Sequence, residues 1–197
     1  MKTIIVTSQK GGSGKSTLVR NLAVTAAREG LRVLCLDLDP QQTLRQWWQS
    51  RDTADPAMLA AEPHPTAVQV TLAAAQKEFD LALVEPLWLR ETLPCADLVL
   101  VPVRPSPDDL RAVGATLAAV NTAGVPLAFV LSQTPRARIT KETARILAQH
   151  GRVAPVNIAQ RVAYAETGAT GQGVAESSDV KAKAEIAELW EYLRGLM

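Results

Sequence analysis

The chain has 197 residues, 47% of them hydrophobic and 21% charged, with a formal net charge of +1. That length suits one α/β domain with a sizeable core, and the near-neutral balance excludes binding to a polyanion through overall charge; any such surface has to be a local patch. Two cysteines outside any CxxC pair, Cys35 and Cys95, and two histidines in unrelated segments, His64 and His150, exclude a disulfide scaffold and a structural zinc site.

Chemistry begins at once. Thr3 to Thr7 reads as a buried strand, too short an apolar run for a signal peptide, and it opens onto Gln9-Lys10-Gly11-Gly12-Ser13-Gly14-Lys15-Ser16-Thr17 and a helix predicted over Lys15 to Glu29. A glycine-rich loop between strand and helix is a phosphate cradle. Glycines let backbone N–H groups turn inward, and the helix N-terminus adds its dipole. Lys15 can reach β- and γ-phosphates, and the Ser16 hydroxyl can ligate Mg²⁺. Arg32 to Leu36 is the next buried strand, ending in Asp37-Leu38-Asp39-Pro40-Gln41-Gln42, where open α/β sheets place their ligands. Period-two alternation predicts Asp37 and Asp39 on one side.

A helix follows over Thr43 to Ser50, then a loop from Arg51 to Pro65 with three prolines, then a helix over Thr66 to Phe79. Leu81 to Val84 is a strand that delivers Glu85 to the same end of the sheet. Strands over Leu98 to Val103 and Leu127 to Leu131 alternate with helices over Asp108 to Ala123 and Lys141 to His150, and Gly30, Gly124 and Gly151 stand where C-caps belong. A second, glycine-rich loop spans Gly168 to Gly173. Apolar runs of this kind predict βαβ units: a single domain over residues 1–197, with a mostly parallel twisted sheet and helices on both faces.

The segment Lys10-Gly11-Gly12-Ser13-Gly14-Lys15-Ser16-Thr17 resembles the deviant Walker A loop of the ParA/MinD P-loop ATPases, and Asp37-Leu38-Asp39-Pro40-Gln41 is similar to their next motif. The stretches Leu98 to Leu110 and Ile158 to Glu166 extend the likeness along nearly the whole chain, most closely to the small ParA-type partition ATPases. The resemblance implies that Lys10 to Thr17 bind ATP, with Lys10 reaching a partner's nucleotide across an ATP-dependent homodimer. It implies that Asp39 positions the attacking water, so that Lys10, Lys15 and Asp39 are catalytic, and that Ser16, Asp37 and Glu85 surround Mg²⁺. Glu85 departs from the family, which has aspartate there followed by a threonine–proline–proline turn; this chain reads Glu85-Pro86-Leu87-Trp88. The extra methylene shifts the carboxylate and points to slow hydrolysis. The adenine is expected near Ser132-Gln133-Thr134 and Pro155-Val156-Asn157.

The ParA likeness further implies non-specific DNA binding, release by a ParB-like or cargo adaptor protein that stimulates hydrolysis, and a cytoplasmic protein associated with the nucleoid in its ATP state. From Ser132 to Arg161 there are six basic residues and one acidic residue; Arg136, Arg138, Lys141, Arg145 and Arg152 are the DNA-binding candidates. With the phosphate loop this near residue 1, no helix-turn-helix is expected before it. The alternative is a MinD-like ATPase at the membrane surface, since Ile186, Leu189, Trp190, Leu193 and Leu196 form an apolar stripe. Its flanking residues Glu185, Glu188 and Glu191 have the wrong sign for anionic lipid, so packing onto the sheet is expected, as it is for Trp47 and Trp48. An iron–sulfur reductase is excluded by the mid-strand position of Cys35.

Overall fold

Each inner strand divides its side chains between two cores, Ile4 and Val6 to one face and Ile5 to the other, Val33 and Cys35 to one and Leu34 and Leu36 to the other. The structure, a computed structural model, describes residues 1–59 and 64–197. Its strands are β1 (Lys2–Val6), β2 (Val33–Asp37), β3 (Ala57–Leu59), β4 (Leu81–Glu85), β5 (Leu98–Val103), β6 (Leu127–Thr134) and β7 (Arg152–Ala159). They form one seven-stranded sheet in the order β3-β2-β4-β1-β5-β6-β7, with every pairing parallel. The helices are α1 (Lys15–Arg28), α2 (Thr43–Gln49), α3 (Pro65–Ala75), α4 (Leu89–Thr92), α5 (Pro107–Ala123), α6 (Arg138–Leu147), α7 (Val162–Ala169) and α8 (Val180–Arg194).

Helices α1, α2, α7 and α8 cover one face and α3, α5 and α6 the other. On either side of β1 the chain winds outward in opposite directions, so the switch point of the sheet opens beside the end of β1. The sequence supplies clear stops and starts. Ser106 caps α5 by accepting the Asp109 N–H, Pro107 occupies its first position, and Gly124 closes it in a left-handed conformation. Gly30 is likewise left-handed after α1, but Gly151 is not. Gly151 is instead a close approach: an added Cβ would meet Leu127 and Phe129 side-chain carbons at 3.2 Å.

Helix α8 lays Ile186, Leu189, Trp190 and Leu193 against α1 and the sheet, all fully buried or nearly so. Burial of each is worth about 1.5–3 kcal/mol. The C-terminal stripe is thus core, and among the described residues no helix is long and apolar enough to cross a membrane. Trp47 is also core; its indole donates to the Gln172 carbonyl at 3.0 Å, while Trp48 donates to Pro56 at 2.8 Å. Arg51 lies 5.0 Å over the Trp47 ring and donates to the Gly171 carbonyl at 2.7 Å and to Glu176 at 3.0 Å. At Gly171, φ is 69°, and a Cβ would strike the Ser50 carbonyl oxygen at 2.2 Å. The glycine-rich segment is therefore a fitted turn under α2, not a loose loop. In the predicted loop from Arg51 to Pro65, β3 adds a short edge strand; residues 60–63 lie outside the described residues.

Candidate nucleotide site

The loop after β1 bends through left-handed glycines at Gly12 (φ 72°) and Gly14 (φ 98°), conformations that a side chain would strain. Strand β6 braces it. The Ser132 hydroxyl donates to the Ser13 carbonyl at 2.5 Å, and the Gln133 amide donates to the Gly12 carbonyl at 2.7 Å. Two carbonyls are so turned outward, which leaves loop N–H groups to face the cleft. Helix α1 starts without a side-chain cap and without an acidic residue in its first turn, so its own first turn offers nothing to compete for its positive end. A cleft of about 350 Å³ results, lined by Gly11, Gly12, Ser13, Gly14, Lys15, Ser16 and Thr17 with Asp39, Gln41, Thr43, Glu85 and Gln133.

Lys15 sits between two carboxylates, 3.4 Å from Glu85 Oε1 and 3.6 Å from Asp39 Oδ2. Glu85 is 1% exposed, and burial pushes its carboxyl up to about 7 against the pull of the Lys15 charge. Among the described residues its Oε2, like the buried Ser13 hydroxyl, has no hydrogen-bond partner. An unpartnered carboxylate oxygen beside Ser16, at the floor of a phosphate-sized cleft, suits a metal ion held jointly by phosphates, a serine hydroxyl and water. Among the described residues no three acidic, histidine or cysteine side chains converge to hold a metal alone.

Asp37 and Asp39 differ in what they line: Asp39 is among the residues of the phosphate cleft and Asp37 is not. Strand β2 ends at Asp37, so alternation stops there and the following turn decides where Asp39 points. Asp39 enters the cleft. Asp37 does not: its oxygens accept the N–H groups of Asp39 and Arg45, each at 3.0 Å, tying the turn to α2. Asp37 is the register partner of Glu85 across β2 and β4, next to the floor of the cleft, and among the described residues it makes no ion pair with Lys15. Its burial raises its pKa, opposed by those backbone bonds.

Lys10 is exposed and makes no ion pair among the described residues; of Lys10 to Thr17 it alone does not line the cleft. Arg104 flanks the loop from outside. It grips Asp109 at 3.0 and 3.2 Å, and its Nη1 is 3.8 Å from where a Gly12 Cβ would stand.

A second cavity, of about 360 Å³, shares Gly14, Thr17 and Gln133 with the cleft and continues along Ser132, Ile158, Ala159, Gln160, Arg161 and Tyr164. Thr134, Pro155, Val156 and Asn157 are not in its lining; the last two residues of β7, Ile158 and Ala159, are. Ser132 and Gln133 line it while bracing the phosphate loop. Arg136, Arg138, Lys141, Arg145 and Arg152 are all exposed, the first in the loop before α6, the next three along α6 and the last at the start of β7. Arg138 pairs with Glu142 at 2.6 Å, and Arg161 leaves the patch to pair with Glu185. Cys35 is fully buried, its thiol raised to about 12 by desolvation.

A family model described as the CobQ/CobB/MinD/ParA nucleotide binding domain matches residues 4–174. The "Maintenance of carboxysome distribution protein A" of Halothiobacillus neapolitanus is 33% identical over 153 residues, which cover 71% of this chain and 70% of that protein. "Protein ParA" of Rhizobium radiobacter is 31% identical over 126 residues, 60% of this chain and 54% of that one. Among solved structures, a putative plasmid partition protein from Borrelia burgdorferi B31 bound to AMPPNP superposes with a TM-score of 0.81 at 16% identity, over 100% of this chain and 99% of that chain. The MinC:MinD cell division protein complex of Aquifex aeolicus gives 0.85 at 16% identity, over 99% and 96%. These two show a shared fold; the sequence matches carry the kinship, and by them this chain belongs to the CobQ/CobB/MinD/ParA nucleotide-binding family of ATPases.

Proposed function

We propose that the chain is a ParA-type positioning ATPase, which binds MgATP in the cleft, closes into an ATP-sandwich homodimer, binds DNA without sequence preference and lets go when an adaptor protein stimulates slow hydrolysis. Its place would be the cytoplasm, on the nucleoid in the ATP state, with a plasmid, chromosome or protein assembly as cargo. The observation that carries the reading is the division of labour between two lysines of one loop. Lys15 lies inside the cleft in balance with Asp39 and Glu85, while Lys10 stands outside it, exposed and, among the described residues, without a counter-ion. A lysine so placed can serve a nucleotide held by a second copy.

ATP would give Lys15 new partners, its β- and γ-phosphate oxygens, in place of the two carboxylates. Asp39, released from Lys15, is then free to orient a water at the γ-phosphorus, and Glu85 holds its place at the floor. Ser16, with Glu85 behind it, would hold Mg²⁺, which would supply charge neutralisation on the transferred group. Two protomers bring two α6 patches to one duplex, so DNA affinity depends steeply on nucleotide state. The relative from Halothiobacillus, named for carboxysome distribution, and the ParA of Rhizobium both support a positioning role. The α8 stripe is part of the core and offers no apolar face to a membrane.

Co-sedimentation decides between the readings. Pelleting with non-specific duplex DNA in MgATP but not in MgADP, and no pelleting with anionic liposomes, is the expected result. Liposome binding without DNA binding would sink it.

A further inference from the structure

One carboxylate ties together the far wall of the second cavity. Glu185, from the second turn of α8, spends both oxygens on residues that line it. Its Oε1 accepts from Arg161 Nε at 3.0 Å and from Nη2 of the same guanidinium. Its Oε2 accepts from the Tyr164 hydroxyl at 2.9 Å and from the Ala159 N–H at 3.3 Å. Arg161, Tyr164 and Ala159 come from the end of β7 and the start of α7, and all three face the cavity. Glu185 does not face it. On the opposite side Arg20 donates to the Tyr164 carbonyl, so this tyrosine is held at both ends of its residue.

Nothing in the seating of α8 calls for such a carboxylate. Ile186, Leu189, Trp190 and Leu193, fully buried or nearly so, already fix the helix on the core, and Asp179 caps it by accepting from Lys181 and Ala182. An ion pair in so sheltered a position costs desolvation and is maintained here by four hydrogen bonds. The residues it organises are those that a nucleoside would meet if its phosphates lay in the adjoining cleft. Helix α8 also lies beyond residues 4–174, the part of the chain matched by the family model.

We infer that Glu185 is the positioning residue of the nucleoside pocket: it sets Arg161, Tyr164 and the end of β7 in the arrangement that accepts the nucleoside, and so makes the last helix a condition of nucleoside binding but not of phosphate binding. The inference rests on the nucleotide reading of the cleft. Without Glu185 the Arg161 guanidinium loses its counter-ion and the Tyr164 ring loses its tether, while Lys15 and the phosphate loop are untouched.

The test separates the two ends of the ligand. Isothermal titration calorimetry with Mg²⁺ compares ATP with inorganic tripolyphosphate on the parent and on Glu185→Gln. The variant should bind ATP about tenfold more weakly, the scale of one broken charge-assisted network, with tripolyphosphate affinity unchanged. Tyr164→Phe removes one bond to the same carboxylate and keeps the ring; it should show the same split at about threefold. Equal losses for both ligands, or no loss of ATP affinity in either variant, overturn the inference and leave the nucleotide reading standing. A parent that binds ATP no better than tripolyphosphate overturns the nucleotide reading and the inference with it.

Discussion

Glu85→Gln removes a titrating proton from the floor of the cleft while keeping the shape of the side chain. The carboxyl of Glu85 is 1% exposed, and burial lifts it from 4.5 to about 7 even with Lys15 3.4 Å away. Between those two values the folded chain keeps a proton that the unfolded chain gives up. The contribution of this group to stability is therefore complete below pH 4.5 and is lost as pH rises to 7, after which it is level. The loss amounts to about 3 kcal/mol. Glutamine does not titrate, so whatever its offset at low pH, the stability of the variant relative to the parent should improve by about that amount between pH 4.5 and pH 8. Carboxylates held below their usual range, such as Asp109 and Glu176, affect both proteins alike and cancel in the difference. Urea unfolding of nucleotide-free parent and variant across that pH range measures it. Parallel curves would show that Glu85 is already ionised at pH 5 in the folded chain, and the electrostatic account of the cleft would be wrong.

Lys15→Ala should abolish MgATP binding by calorimetry and leave the chain folded, since Glu85 can take up a proton when its counter-charge goes; parental affinity would refute the phosphate-loop assignment. Lys10→Ala should bind nucleotide like the parent but stay monomeric with ATP in light scattering, and equal dimerisation of the two would remove Lys10 from the interface. Charge reversal at Arg136, Lys141 and Arg145 should weaken DNA binding and lower its salt slope by about one for each phosphate no longer neutralised; an unchanged slope would move the DNA surface elsewhere.

The sequence displays what is local and what is buried on both sides. Strands β1, β2, β4, β5 and β6 are unbroken apolar runs because helices cover both faces, and the phosphate loop is contiguous in the chain. The edges hide. Strand β3 has three residues, and β7 alternates buried Ala154, Val156 and Ile158 with exposed Arg152, Pro155 and Asn157, a pattern open to proline because one side of the strand is unpaired. Strand β2 ends at Asp37, so the turn and not the strand period places Asp39 in the cleft. The braces on the loop were out of reach for another reason. Ser132 and Gln133 act on Ser13 and Gly12 across 119 and 121 residues, and no spacing rule covers such a distance. Glu185 read only as a charge on an amphipathic helix, since its partners are fixed by where α8 docks.

The knot of Trp47, Arg51, Gly171 and Glu176 limits how the cleft can respond to its contents. With the far end of α2 pinned to the turn after α7, and the β2 end pinned in the sheet, what joins them is the short run from Leu38 to Gln42, held by its own turn hydrogen bonds. Gln42 already sits at φ 49°, in a left-handed conformation that is uncomfortable for a side chain. A change of bound nucleotide felt by Asp39 thus has only that run in which to be absorbed. It should surface as a local flip of the turn, with the helix behind it serving as an immovable abutment.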